Sequence, residues 1–510
     1  MIFLIAYPFL FSLFPIFSLY LKNFNQVSFG DVVDPTIVVL FFSLASYLGS
    51  FMATRKIAKA SLITFVFIFF VFSFEPVFSP FRKILSVDGV LTVYPWFFIF
   101  WIALFLVSLF FILWTDSHLT LINKFLSLFS IFLIFISFAR LVTLKPWKSN
   151  NSVLSKSINT IDVLTVQKDS EEDTDLPDIY YIIVDRYLRN DILQENYGFD
   201  NSDFLNFLRE KGFYVAEASR SNYLKTGQSL ASSLNMQYIN YLSQNGGENS
   251  ESWGPVYSLL EKNLVVKTLK DKGYKYIHLG SWWEPTRKND FADININIQV
   301  TPEFSENLLQ NTVFYPVKDQ LFAEGVRKEQ YDRTLYELDY LKKIPLINES
   351  TFTFAHLLIT HPPYVFDEKG NYVTNRDEAR IEEKESYVIQ VKITNKLLED
   401  LITEIFQNSE RKPVIVIQSD EGKYPVGILQ FDHRFDWFKG TSDQVKEKTA
   451  ILNAIYIPDT DAKEFYPSLT PVNTFRIVFN KVFNTNMDLL PDESYLNQDD
   501  LHPYKFKKVE

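Results

Sequence analysis

The sequence predicts a multi-pass α-helical membrane domain followed by an α/β domain with a helix-covered, mostly parallel sheet. Three observations predict it. Residues 1–150 carry 10 Lys/Arg and 5 Asp/Glu, a net of +5, so the overall −11 leaves −16 for residues 151–510. Long apolar runs are confined to that first part, which holds 29 of the 49 phenylalanines. The later part contains two compact β-rich runs, Asp178–Val184 and Val414–Ser419, each followed at once by an aspartate. A chain divided in this way faces two solvents and is not one soluble domain.

The apolar runs near 2–21, 36–53, 60–79, 95–114 and 123–142 each approach the roughly 20 helical residues that cross about 30 Å of hydrocarbon. Residues 1–142 therefore read as five transmembrane helices. The first run lacks a basic lead and a small-residue cleavage site, so it is expected to remain as a helix. Glu75-Pro76 falls near the end of the third run, where a carboxylate can reach headgroups. Trp96, Trp101 and Trp114 lie near run ends as aromatic belts do, and Arg55, Lys56 and Lys59 form the clearest short basic loop. Placing that loop in the cytoplasm puts everything after residue 142 outside. Arg82, Lys83, Arg140, Lys145 and Lys148 then also lie outside, so the charge rule is nearly balanced.

Residues 143–176 read as a polar linker, with Ser149-Asn150-Asn151-Ser152 and an acidic stretch from Asp169 to Asp175. Over 177–490, helical patterns at 202–211, 255–270 and 386–407 alternate with short strands near 213–216, 274–279 and 351–358, the pattern of a helix-covered sheet. Residues 491–510 are set apart as a C-terminal tail. The net −16, without clustered Lys/Arg, argues against a nucleic-acid partner. The absence of cysteine excludes disulfides, thiolate metal sites and a cysteine nucleophile.

Ligands in open α/β sheets bind beyond the carboxyl ends of the strands, where Asp185 and Asp420 both stand. Two acids there can share a cation that offsets their mutual repulsion, although either alone could equally cap a following helix. Thr226 opens the small-residue stretch Thr226–Asn235 after the polar turn Ser221-Asn222-Tyr223-Leu224-Lys225. At a helix start its hydroxyl could be a metal-activated nucleophile beside free N–H groups, or an ordinary cap. His361 precedes two prolines and reads as a site residue, whereas His356 and His278 read as core or hydrogen-bonding histidines. Of the adjacent Trp282 and Trp283, strand alternation lets one line a cleft, and Trp283 is assigned that place.

These segments resemble the alkaline phosphatase and sulfatase superfamily, in particular its membrane-anchored branch of lipoteichoic acid synthases and lipid A phosphoethanolamine transferases. The resemblance covers roughly 177–490. It rests on the strand ending in Asp185, the segment around Thr226, His361-Pro362-Pro363-Tyr364 and Ser419-Asp420-Glu421-Gly422. It implies Asp185, Thr226, Asp420 and Glu421 as metal ligands, Thr226 also as nucleophile, and His361, His433, Asn222 and Trp283 on the substrate side. Glu421 departs from the family's usual histidine. An all-oxygen set favours Mn²⁺, with Mg²⁺ or Zn²⁺ as alternatives. The implied activity is transfer of a phospho-alcohol group from a membrane lipid donor to an envelope glycan or lipid. The implied place is a bacterial-type inner membrane, with the catalytic domain on the periplasmic or extracellular side. A phosphoester or sulfatase-like hydrolase and a catalytically silent envelope scaffold are the alternatives, and the sequence leaves the oligomeric state unknown.

Overall fold

A computed structural model of the chain describes residues 2–24, 27, 29–84, 90–115, 119–143, 176–244, 247–298, 303–425, 427–428 and 434–509. The expected linker 143–176 lies almost wholly outside them, and His433 lies outside them too. The chain forms two compact units, residues 1–146 with 301–323, and residues 147–300 with 324–510.

The first unit is helical: α1 (Ile2–Lys22), α2 (Gly30–Thr54), α3 (Ile57–Phe72), α4 (Phe74–Ile84), α5 (Val90–Trp114) and α6 (Leu119–Thr143). Within it, Ile5–Lys22, Gly30–Thr54, Pro95–Trp114 and Leu119–Val142 are long and apolar enough to cross a membrane. The pair Ile57–Phe72 and Phe74–Phe81, bent by 41°, makes a fifth span if counted as one. The bend has a local cause, because Pro76 has no N–H to give the carbonyl of Phe72. Trp96 and Trp114 are exposed, as belt residues would be, but Trp101 is buried and its indole N–H donates to Phe70 O at 2.9 Å. Polar contacts join the helices where apolar packing alone has little driving force: Tyr7 donates to Asn123 Oδ1 at 2.7 Å and Asn123 Nδ2 to Ala58 O at 3.2 Å. Lys59, at the start of α3, donates to Leu113 O at the end of α5 at 2.7 Å, so the 54–57 loop and the end of α5 lie at one end of the bundle.

Residues 303–314 also belong to this unit, although the sequence places them inside the α/β region. The helix Glu303–Gln310 buries Phe304 and Leu308 against Ile16 and Val32. Val313 joins Phe74, Phe78, Phe97 and Trp101.

The second unit is built on a seven-stranded sheet in the order β2-β7-β6-β1-β5-β3-β4. The strands are β1 (Ile179–Val184), β2 (Tyr214–Val215), β3 (Lys275–Leu279), β4 (Ile294–Ile296), β5 (Thr351–Leu357), β6 (Val414–Gln418) and β7 (Asn453–Tyr456). Strands β6, β1, β5, β3 and β4 run parallel, and β7 is antiparallel to both β6 and β2. Every residue of β1 is fully buried, which explains why it reads as an unbroken apolar run rather than an alternating one. Its two faces serve two cores: Tyr180, Ile182 and Val184 pack with Leu208 and Leu401, while Tyr181 and Ile183 pack with Leu234 and Phe475. The expected helix 255–270 is two, Gly254–Glu261 and Leu264–Asp271, because Asn263 caps the second by accepting from Val266 N. The stretch read as a C-terminal tail holds a two-stranded hairpin, β8 (Tyr495–Asn497) and β9 (Phe506–Lys508), fastened by Tyr495 N–H to Asn222 O at 2.8 Å.

His278 on β3 sits between Tyr276 Oη at 2.9 Å and Thr286 O at 2.8 Å. The carbonyl can only accept, so Nε2 carries the proton and Nδ1 accepts from the tyrosine. Burial pushes its pKa down to about 4. The unfolded chain takes up a proton near pH 6.5 while the fold does not until about 4, so stability falls as pH drops through this window. The loss is expected to approach about 3 kcal/mol. Urea unfolding of the wild type and of His278→Gln between pH 7 and 4.5 checks this: the variant should show the shallower decline.

Candidate active site

The site begins with strand register. Ile183 of β1 pairs with Gln418 of β6 and with His356 of β5. Two residues beyond that pair on β1 stands Asp185, and two beyond it on β6 stands Asp420. Parallel pairing thus delivers two acids from distant sequence to one sheet edge, with His356 on the strand to the other side. The turn after β1 is forced: Arg186 has φ 59°, a left-handed conformation costly for a residue with a Cβ. It is held by Tyr387, which donates to Arg186 O at 2.8 Å and accepts Leu188 N–H at 3.1 Å. The turn after β6 depends on Gly422, where a Cβ would lie 2.1 Å from Glu447 O.

Asp185, His356 and Asp420 are buried and offer ligand atoms all within 4.8 Å of one another. His356 Nε2 lies 3.3 Å from Asp185 Oδ2, and its Nδ1 lies 2.8 Å from Thr286 Oγ1. The hydroxyl can accept or donate, so it supports either imidazole tautomer, including the one that frees Nε2 for a metal. Asp420 Oδ2 and Glu421 Oε2 are buried without hydrogen-bond partners, and Asp185 Oδ1 makes no hydrogen bond, with Arg186 Nε at 3.5 Å. Burial, with the charges of Asp185 and Glu421 next, holds the Asp420 carboxyl above the usual range. Buried, mutually repelling carboxylate oxygens without hydrogen-bond donors fit a divalent cation.

Thr226 is the first residue of the helix Thr226–Asn235 and is partly exposed, unlike the trio beside it. Its hydroxyl hydrogen-bonds Asp420. The first helical N–H bond is made by Ser229 to Lys225 O at 2.9 Å, which leaves the preceding N–H groups facing the helix start. His361 is buried, and burial followed by the Arg186 charge pushes its pKa down to about 3, so the ring is neutral. Its Nδ1–H donates to Pro362 O, which leaves Nε2 with a free lone pair. The Pro362-Pro363 peptide that follows it is cis.

Glu421 is not in the trio. Its Oε1 is 2.7 Å from Lys448 Nζ and 3.2 Å from Arg186 Nε. Arg186, Lys225 and Lys448 stand 4.9, 5.1 and 4.0 Å from the centre of the Tyr424 ring, forming a cationic cluster beside the acids. Asn222, expected on the substrate side, has its amide engaged in the fold: Nδ2 donates to Glu493 O and Oδ1 accepts Val472 N–H, both at 2.8 Å. Trp283 packs with Tyr257 and reaches His356, whereas its neighbour Trp282 meets His361 edge to face at 5.4 Å. His356 and the cationic cluster are what sequence reasoning missed. The one signal for His356 was a lone polar residue near the carboxyl end of an apolar strand.

The Sulfatase family model matches residues 177–470, more than half of the chain. The chain belongs to the sulfatase family. The C-terminal periplasmic domain of EcEptC from Escherichia coli is similar at 12% identity, over 66% of this chain and 94% of that one, with a TM-score of 0.44. The lipoteichoic acid synthase LtaP from Listeria monocytogenes matches at 12% identity over 69% and 86%, with a TM-score of 0.39. The integral membrane lipooligosaccharide phosphoethanolamine transferase A from Neisseria meningitidis matches at 10% identity over 94% and 95%, with a TM-score of 0.38. No curated protein matches the sequence. Membership makes this an enzyme of the sulfatase type, and the trio suits the divalent metal expected of it.

Replacing Lys448 by Met would remove the fully buried ammonium from Glu421 Oε1 and Gly422 O. Breaking a buried pair from one side costs about 3–5 kcal/mol. Lys448→Met should therefore lower the denaturation midpoint sharply, and the double change Lys448→Met with Glu421→Gln should recover much of the loss.

Proposed function

We propose that this sulfatase-family protein is a membrane phosphotransferase that passes a phospho-alcohol group from a lipid donor to an envelope glycan or lipid through a phosphothreonine at Thr226. The observation that carries it is the Thr226 hydroxyl, partly exposed at a helix start, hydrogen-bonded to Asp420 and next to a buried Asp185/His356/Asp420 trio. Asp185, Asp420 and His356 would hold the cation, while Glu421, paired with Lys448 and Arg186, stands beside them. When bound, the metal supplies Lewis acidity that lowers the hydroxyl pKa and offsets phosphoryl charge. Because an imidazole joins the set, the all-oxygen argument for Mn²⁺ no longer applies, and Zn²⁺ suits it as well.

In the first half-reaction Thr226 Oγ1 bonds to phosphorus, the bond to the leaving alcohol breaks, and the threonine proton passes by way of His361 Nε2 to the leaving oxygen. In the second, His361 Nε2 takes the proton of the acceptor hydroxyl, whose oxygen bonds to phosphorus, and returns it to Thr226 Oγ1 as the bond from phosphorus to that oxygen breaks. The unbonded N–H groups at the helix start and the Arg186/Lys225/Lys448 cluster face the phosphoryl charge. Four membrane spans, or five with the bent α3–α4 pair counted as one, give the reason for such a site to work on lipid. By alternation of the spans, the ends of α1 and α3 and the start of α5 share one side. The Arg55, Lys56 and Lys59 loop takes the other, cytoplasmic, side. Residues 303–314 pack against the first set of ends, which supports a catalytic half on the periplasmic or extracellular side.

Thr226→Ala should abolish transfer by at least about 10³-fold while leaving the unfolding midpoint nearly unchanged, since one partly exposed hydroxyl is removed. Mass spectrometry of the wild type quenched during turnover of a phosphatidyl donor should find phosphate-ester mass on Thr226. Full activity of the variant would end the covalent reading, and product analysis with and without acceptor separates transfer from hydrolysis. Elemental analysis of purified protein should find a divalent metal that Asp420→Asn reduces by about tenfold or more in affinity. A metal content unaffected by that change would remove the trio as its holder.

A further inference from the structure

The chain leaves the α/β unit after residue 300, contributes residues 301–323 to the helical unit, and returns at residue 324. We propose that residues 303–314 are a second membrane anchor of the catalytic half, holding it to the helical bundle independently of the linker that follows α6. Two separate contacts carry this. Phe304 and Leu308 stand four residues apart on Glu303–Gln310, so they share one face, and they are exposed by only 3% and 6%. That face fills the space between Ile16 near the end of α1 and Val32 near the start of α2, while Ser305, Glu306, Asn307 and Gln310 stay only partly covered.

The second contact lies at the bend between α3 and α4. Val313 N–H donates to Val71 O at 2.9 Å, and its side chain is buried among Phe74, Phe78, Phe97 and Trp101. A carbonyl near a helix break inside an apolar bundle has no water to turn to, so a partner for it stabilises the break itself. A short amphipathic helix in an apolar groove, followed by a backbone donor on a broken helix, is a docked segment built into the bundle. Its occupant is this chain's own excursion from the α/β unit.

The test needs no substrate, so its failure is distinct from failure of the phosphotransferase reading. A specific protease site is placed within residues 150–170 of the full-length protein, native membranes are cut, and membrane and soluble fractions are separated. The fragment running from the cut to residue 510 should remain with the membrane. In the same cleavable protein, Phe304→Asp with Leu308→Asp should send most of that fragment to the soluble fraction, with its trypsin resistance showing that it is still folded. Val313→Pro, which removes the N–H to Val71 and alters the buried side chain, should raise the released share several-fold. Release of the parent fragment on cutting overturns the proposal. So does equal retention of the parent, the double variant and the proline variant.

Discussion

Everything at the site depends on β1 lying between β5 and β6 in parallel. An antiparallel neighbour would send its carboxyl end to the opposite edge of the sheet, and Asp185 and Asp420 could not meet. With parallel pairing, the register Ile183–Gln418 and Ile183–His356 makes the meeting a matter of counting two residues onward. The same burial that makes β1 a rigid centre also surrounds the acids with protein rather than water. Their repulsion is therefore large, and the local charges are arranged around it. The proposed nucleophile comes from elsewhere. Thr226 is delivered by a helix start that remains partly open, so rigid acids and an approachable hydroxyl are supplied by different elements.

That division explains what could be read in advance. Strand runs rich in Ile, Val and Tyr that stop at an aspartate are legible because full burial on both faces permits no polar residue until the strand ends. Asp185 and Asp420 announce themselves for this reason. His356 does not, because a histidine inside a buried strand looks the same whether it packs, hydrogen-bonds or faces a metal, and only the register to Ile183 distinguishes these. Asn222 shows the converse. A polar residue four positions before Thr226 looks available to substrate, yet the fold uses its amide to tie Val472 to Glu493. Glu421 was legible as a carboxylate in an unusual place, but its partners Lys448 and Arg186 lie 27 and 235 positions away, beyond any local pattern.

The membrane half was legible by length and apolarity, and the bend at Ser73 to Pro76 follows from proline chemistry. The membership of residues 303–314 was not. A helix of eight residues with two buried apolar side chains carries the same pattern as any surface helix of an α/β domain, and nothing in it identifies the surface it covers. What identifies it is the groove, and the groove is made by α1 and α2 nearly three hundred residues earlier.

The charge balance around Thr226 gives a reason for the substitution at position 421. Asp185, Asp420 and Glu421 are buried carboxylates, and Arg186 and Lys448 are buried cations in contact with them. Lys225 is neutralised by Asp500 at 2.6 Å, so three negative groups against the two other cations leave one net negative charge, which would repel the proposed phosphodiester donor. A divalent cation at the trio reverses the sign to one net positive charge, which attracts it. With a neutral histidine at 421, the same two protein cations would have one carboxylate fewer to face. The filled site would then be doubly positive, and Lys448, with no exposure to water, would be left without its carboxylate partner. Glu421 and Lys448 thus belong together. The acid at 421 is better understood as the partner that keeps a buried ammonium beside the acids than as a lost imidazole.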